Sequence, residues 1–164
     1  MNAPAAVHPV ERLVIEAECA RLVVSFCAHI DGRHYDSVVA LFTPDGVFER
    51  RSKVHVGHAA IRRELDARAV NMVSRHLCTN VQVTVIDADH AQASSYFLVL
   101  RQDGVSGDAP FPLDPPDGMG EFHDRLVRTG EGWRIAHRVT KAIFRSPRAT
   151  AAQRADGAIK PRPG

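Results

Sequence analysis

Residues 76–101 read HLCTNVQVTVIDADHAQASSYFLVLR, and this stretch determines the fold class. Its valines at 81, 83 and 85 alternate with polar residues, which is the pattern of a strand with one buried face. The turn residues 87–89 follow, so residues 90–101 are expected to return as the second strand of a hairpin. Residues 121–128 and 133–144 flank another turn at 129–132 and predict a second hairpin. The second half of the chain therefore predicts an antiparallel sheet built from consecutive hairpins.

The first half of the chain has helical periodicity instead. Residues 10–30 predict one long helix whose apolar positions follow spacings of four and three. The expected core-facing stripe is Leu13, Ala17, Ala20, Val24 and Cys27. Shorter helices are expected over 35–42 and 57–70, with a short strand over 46–51 between them. Helices followed by a meander predict an α+β fold with the helices on one face of the sheet.

Composition limits the function classes. The chain has 164 residues and a formal net charge of +2, and its basic residues are scattered, so we expect no nucleic-acid partner. No stretch is apolar enough for a membrane span or a secretory signal, and the three cysteines fit reduced thiols in a cytoplasmic protein. We expect one domain over 10–147, a flexible N-terminus over 1–9 and a disordered tail over 148–164, because that tail has almost no large apolar residue.

Four short motifs carry a resemblance to a known family. They are HIDGR at 29–33, LFTPDGVF at 41–48, SRHL at 74–77 and GWRIAHRV at 132–139. In this order and spacing they resemble the SnoaL-like branch of the nuclear transport factor 2-like (NTF2-like) superfamily. Within it the chain is similar to scytalone dehydratase, bile acid 7α-dehydratase and γ-hexachlorocyclohexane dehydrochlorinase.

The resemblance implies a cone-shaped, strongly bent and mostly antiparallel sheet, wrapped by the N-terminal helices around a deep apolar pocket. It also implies cofactor-free elimination from a hydrophobic cyclic small molecule by a His-Asp dyad, in a homo-oligomer that is a dimer or a trimer. The catalytic positions of the family fall on Asp31, His76 and Arg138, and we assign Phe26, Tyr35, Phe48 and Val99 to substrate binding. No metal is expected, since His55 and His58 have no nearby acid to complete a ligand set.

The residues themselves bear on these assignments. Asp31 lies four residues after Cys27 and so extends the core-facing stripe, where a carboxylate needs a partner. An imidazole such as that of His76 suits proton abstraction near neutral pH. Strict alternation, however, places His76 opposite the valines, so either it faces outward or a β-bulge at 78–80 changes the parity. We favour the bulge.

Arg138 shares its predicted strand face with Arg134, Ala136, Thr140 and Ala142, and a surface salt bridge is the alternative to oxyanion binding. The family dehydratases can carry a Tyr where this chain has Phe26, and a polar residue where it has Phe97 to Leu100. The resemblance therefore does not identify the proton donor to a leaving hydroxyl.

Two functions follow as hypotheses. The first is a lyase that removes water or halide after His76 takes a proton; an isomerase or a cyclase begins with the same step. The second is a non-catalytic binding or partner subunit, such as the β subunit of ring-hydroxylating dioxygenases, which shares the fold. A contact between Asp31 and His76 would favour the lyase. Residues 102–118, rich in Pro and Gly, are expected to cover the pocket entrance.

Overall fold

A computed structural model describes residues 7–113 and 115–147. In chain order the helices and strands are α1 (Pro9–Asp31), α2 (Tyr35–Ala40), β1 (Phe42–Arg50), β2 (Lys53–Val56), α3 (Gly57–Asp66), β3 (Val73–Val85), β4 (His90–Gln102), β5 (Gly118–Thr129) and β6 (Gly132–Arg145). The expected tail over 148–164 lies outside the described residues.

The α+β fold with a mostly antiparallel sheet is confirmed. The six strands form one curved, unclosed sheet in the order β2-β1-β6-β5-β4-β3. Every neighbouring pair is antiparallel except β1 and β6, which run parallel. The expectation of hairpins alone was wrong at this pair, because β1 pairs with the last strand of the chain rather than with a sequence neighbour. The short strand β2 was not predicted, and β1 begins four residues before the predicted strand.

Helix α1 packs mainly on β3, but through a different face from the one expected. Its buried residues are Ile15, Cys19, Leu22, Val23, Phe26, Cys27 and Ile30, whereas Leu13 and Val24 are exposed. The expected stripe was therefore wrong except at Cys27. Both sets have helical spacing, and the sheet selects the one that carries the bulkier side chains. Because Cys27 faces the core, Asp31 one turn later also faces the sheet.

Irregular pairing bends the sheet at three places along β3 to β6. Between β5 and β6 the register shifts by one residue near Met119 and again near Leu126, and between β3 and β4 it shifts after Thr79. Each extra residue is a β-bulge, which bends a strand and re-aims the side chains that come after it. The inner face thereby encloses a core of aromatic rings, in which Phe26 makes edge contacts with Phe42, Phe48 and Phe122.

Candidate active site

Asp31 and His76 lie in contact although 45 positions separate them in the sequence. Asp31 is the last residue of α1, and His76 lies near the start of β3. The Nδ1 atom of His76 is 2.7 Å from Oδ1 of Asp31, and the backbone N–H of His76 donates to Oδ2 at 2.6 Å. The side chain of His76 is only 12% exposed and that of Asp31 only 9%. The helix end thus holds both the ring and the backbone of His76.

A third residue, from the same strand as His76, completes the hydrogen bonding of the carboxylate. The hydroxyl of Ser74 donates to Oδ1 of Asp31 at 2.7 Å and accepts from Nη2 of Arg68 at 2.8 Å. Ser74 lies two residues before His76, and alternation along a strand explains their common face. Arg68 was not among the predicted site residues: the predicted helix over 57–70 includes it, whereas α3 ends at Asp66 and leaves Arg68 in the segment that leads to β3. The site is therefore a chain of contacts from Arg68 through Ser74 and Asp31 to His76.

These contacts fix the charge of Asp31. Burial raises the pKa of this carboxyl, but hydrogen bonds from the His76 ring, the Ser74 hydroxyl and the His76 backbone N–H outweigh burial. The pKa of Asp31 consequently lies below its ordinary value of 3.8. An ionised carboxylate accepts hydrogen bonds and donates none, so the proton of neutral His76 must lie on Nδ1. Nε2 then carries the lone pair, and within the described residues no protein group is hydrogen-bonded to it.

Strand β3 contains the β-bulge that the sequence favours over an outward-facing His76. Thr79 pairs with Tyr96 and Gln82 with Ser94, so one residue of β3 has no counterpart on β4. Asn80 lies at this bulge with a φ of 51°, a left-handed conformation that Asn tolerates better than most residues. His76 has an even residue number and the later valines have odd ones, so strict alternation would place them on opposite faces. The extra residue at the bulge lets them face the same side of the sheet.

His76 lines a cavity of about 140 Å³. Dry cavities of about this size, roughly 150 Å³, accept a benzene-sized molecule. Three of the four residues assigned to substrate binding, Phe26, Phe48 and Val99, also line it. Tyr35 does not; it is buried, and its hydroxyl accepts a hydrogen bond from Arg33 at 3.3 Å. Its position points to a packing role between α1 and α2.

Thr140 adds a polar group to the cavity wall. Its buried hydroxyl has no hydrogen-bond partner in the part of the chain that the structure describes. A buried hydroxyl without a partner carries an unrecovered desolvation cost, which a bound molecule can recover by hydrogen bonding. Thr140 is therefore a candidate substrate contact that its sequence context did not single out.

Arg138 is buried beside the cavity without lining it. It is fully buried, and its Nε and Nη2 atoms each donate to Asp124 at 2.7 Å. Its guanidinium carbon lies 4.2 Å from the ring centre of Phe26 and 4.4 Å from that of Phe122. Both rings line the cavity, whereas Arg138 does not.

In the structure Arg138 supports the aromatic wall from behind through its ion pair and its cation–π contacts, and its role as an oxyanion contact stays a prediction. A bulge at 136 in β6 places Arg138 on the same face as Ile135 and the cavity-lining Thr140, rather than on that of Arg134.

His76 also lines a second groove, which lies between α1 and β3. This groove is lined by Asp31, His76, Cys27, Cys78 and Arg75, among others. Cys27 and Cys78 lie one helical turn before Asp31 and two residues after His76. The neighbouring thiol of Cys27 and the charge of Arg138 outweigh burial and lower the pKa of Cys78 to about 6, whereas the thiol of Cys78 and burial raise the pKa of Cys27.

Metal-binding clusters and membrane-spanning helices are both missing from the described residues. Over 7–113 and 115–147, no group of three or more His, Cys, Asp or Glu side chains converges to hold a metal ion. Among the helices of those same ranges, none combines the length and apolar character that crossing a membrane requires.

Comparisons with known proteins agree with this architecture. The family model for the SnoaL-like domain matches residues 11–139. Uncharacterised proteins of Mycobacterium tuberculosis and Mycobacterium bovis are 30% identical over 130 residues, which cover 77% of this chain and 84% of theirs.

Solved structures show the same fold. A protein of unknown function from Mycobacterium tuberculosis is 31% identical, with a TM-score of 0.68 over 85% of this chain and 78% of its own. A scytalone dehydratase-like protein of Novosphingobium aromaticivorans is 17% identical, with a TM-score of 0.73 over 85% of this chain and 91% of its own. With the family model spanning most of the chain and the bent sheet shared with these structures, the chain belongs to the SnoaL-like family and has the NTF2-like fold.

Proposed function

We propose that this protein is a lyase that eliminates water or halide from a small cyclic molecule bound in the cavity. The observation that carries the proposal is the 2.7 Å contact between Asp31 and His76, combined with the position of His76 on the cavity wall. A partner subunit without chemistry has no need for this contact. The geometry therefore favours the lyase over a binding or partner subunit.

The proposed reaction begins at Nε2 of His76. This atom takes a proton from a C–H next to a carbonyl group, and the electrons of that bond form the new double bond. The leaving group departs from the neighbouring carbon as halide, or as water once it has received a proton. The protonated imidazole can return its proton to a hydroxyl that leaves from the same face of the substrate.

Asp31 acts through His76 in this scheme. Its carboxylate holds the ring in the tautomer with Nε2 free, and its negative charge stabilises the imidazolium that forms. Ser74 and Arg68 orient the carboxylate from behind. The rings of Phe26 and Phe122, supported by Arg138, provide an apolar wall against which a ring can lie. An isomerase or a cyclase would use the same first step and differ in the later bond changes.

A turnover assay tests the proposal. The substrates are 3-hydroxycyclohexanone and 3-chlorocyclohexanone, whose elimination gives an unsaturated ketone that absorbs in the ultraviolet. We expect His76→Gln to lower the elimination rate by about 100-fold or more, the usual contribution of a general base. His90→Gln is the matched control, because His90 forms an exposed pair with Asp87 at 2.9 Å, away from the cavity.

Two results would contradict the proposal. One is elimination by the wild-type protein no faster than in buffer for all substrates of this class. The other is equal activity of the His76→Gln and His90→Gln variants. The first result would favour the binding or partner subunit, and the second would place the base elsewhere.

A further inference from the structure

The cavity has two chemically different ends. Its inner wall is made of aromatic and aliphatic side chains, whereas its lining also includes five arginines: Arg50, Arg51, Arg68, Arg101 and Arg145. The acidic residue that lines it within the described ranges is Asp117. A hydrophobic molecule of the class in the proposed function would use only the first of these ends.

The strand register places the arginines together at one end of the sheet. Ser74 pairs with Arg101 where β3 begins and β4 ends, and Gly118 pairs with Arg145 where β5 begins and β6 ends. Arg50 and Arg51 lie at the end of β1. Arg51 and Arg145 are exposed, whereas Arg50, Arg68 and Arg101 are half-buried. Four of the five cavity-lining arginines thus lie at this end of the sheet, and Arg68 joins them through its hydrogen bond to Ser74; we call these five residues the arginine rim.

Two members of the arginine rim form ion pairs with carboxylates outside the cavity lining, Arg50 with Glu64 at 3.1 Å and Arg101 with Asp103 at 2.8 Å. Among the described residues that line the cavity itself, Asp117 is the one acid beside the five arginines. Burial lowers the pKa of Arg50 to about 10, and the positive charges of Arg51, Arg68 and Arg101 act in the same direction as mutual repulsion. An anion bound between them would relieve this repulsion.

We infer that the substrate carries an oxyanion group, a carboxylate or a phosphate, which the arginine rim binds while the ring lies beside His76. This inference rests on the proposed function and names the substrate class of the same cavity. His76 pairs with Val99, and the rim residue Arg101 lies two residues farther along β4. Two residues of a strand span about 7 Å, so the anionic group lies about one ring away from the reacting carbon.

Binding measurements test this inference without turnover. The probes are benzoate, phenyl phosphate and the neutral benzamide, titrated by calorimetry or NMR into the full chain carrying His76→Gln. Because this variant lacks the proposed base, it measures binding alone. Failure of anion binding is therefore distinguishable from failure of the proposed elimination, which the turnover assay measures. We expect benzoate or phenyl phosphate to bind at least about tenfold more tightly than benzamide, since charge-assisted hydrogen bonds are stronger than neutral ones. The tighter of the two anions identifies the source of the oxyanion.

Variants assign the effect to the arginine rim. Arg101→Gln and Arg145→Gln are each expected to weaken anion binding about tenfold and to leave benzamide binding unchanged. Arg21→Gln removes the same charge from an exposed position on α1 and serves as the matched control. Arg145 is exposed at a strand end, so its variant keeps the test valid if Arg101→Gln does not fold.

Added salt should weaken the binding of the anions more than that of benzamide. Equal affinity for benzoate, phenyl phosphate and benzamide would overturn the inference. So would anion binding that Arg21→Gln weakens as much as the rim variants do.

Discussion

At the scale of single residues, Asp31 holds the site together: its carboxylate accepts three hydrogen bonds from two residues of one strand. Ser74 and the ring of His76 donate to Oδ1, and the backbone N–H of His76 donates to Oδ2. The sequence could predict the pair, because Asp31 follows Cys27 by one helical turn and a buried carboxylate needs a partner. It could not predict Arg68, because the predicted helix over 57–70 ends earlier in the structure, at Asp66. The burial of Arg138 could not be predicted either, because it depends on a bulge at 136 in β6.

The pKa of Asp31 leads to a prediction for stability. Its folded-state pKa is lowered, so its contribution is present above the unfolded value of about 3.9 and is lost as the pH falls through the folded value. We expect Asp31→Asn to lower the free energy of unfolding by about 2 kcal/mol at pH 7, and the difference from wild type to vanish in acid. Urea unfolding at a series of pH values measures it.

The matched control for this prediction is Asp87→Asn, which removes the carboxylate of the exposed pair with His90. An exposed pair contributes little to stability, so this variant should unfold close to wild type at neutral pH. A loss in Asp31→Asn that stays constant from pH 7 down to acid would show that the charge of Asp31 is not what stabilises the site.

Among the helices and strands, bulges determine which side chains reach the cavity. Alternation along β3 and β6 predicts faces correctly only as far as each bulge. For this reason Arg138 does not share a face with Arg134 as predicted, and His76 faces the same side as the valines of β3 only because of a bulge. The helices and most of the strands could be found from periodicity and turn residues. The pairing of β1 with β6 and the choice of the α1 stripe depend on contacts between distant segments, which periodicity does not contain.

Asn80 makes the bulge of β3 testable. Its φ of 51° is unfavourable for a β-branched side chain and costs nothing for glycine. We expect Asn80→Val to lower the free energy of unfolding by about 1–2 kcal/mol, and the matched variant Asn80→Gly to change it little. Chemical denaturation of both variants measures the difference. If valine is tolerated as well as glycine, the left-handed bulge that turns His76 inward is not present in solution.

Across the whole molecule, α1 and the bent sheet bring the imidazole of His76, an apolar wall and the arginine rim to one cavity. The assembly of several copies stays a prediction. Leu77 and Tyr96 are exposed, with 51% and 39% of their surfaces accessible, and offer apolar area for such a contact. The lid role of residues 102–118 also stays a prediction. In the structure, the described part of this segment is tied to the body by hydrogen bonds from Val105 to Asn71 and from Asp117 to Val99.

The proposed mechanism requires that His76, oriented by Asp31, removes a proton from a carbon atom in this cavity. Deuterium incorporation at the α-carbons of cyclohexanone and 4-oxocyclohexanecarboxylate in D₂O, followed by ¹H NMR, isolates this step, because neither ketone has a leaving group. We expect exchange to be catalysed by the wild-type protein and by His90→Gln, slowed in Asp31→Asn and lost in His76→Gln. Exchange that continues at the wild-type rate in His76→Gln, or its absence in the wild-type protein with both ketones, would contradict the mechanism.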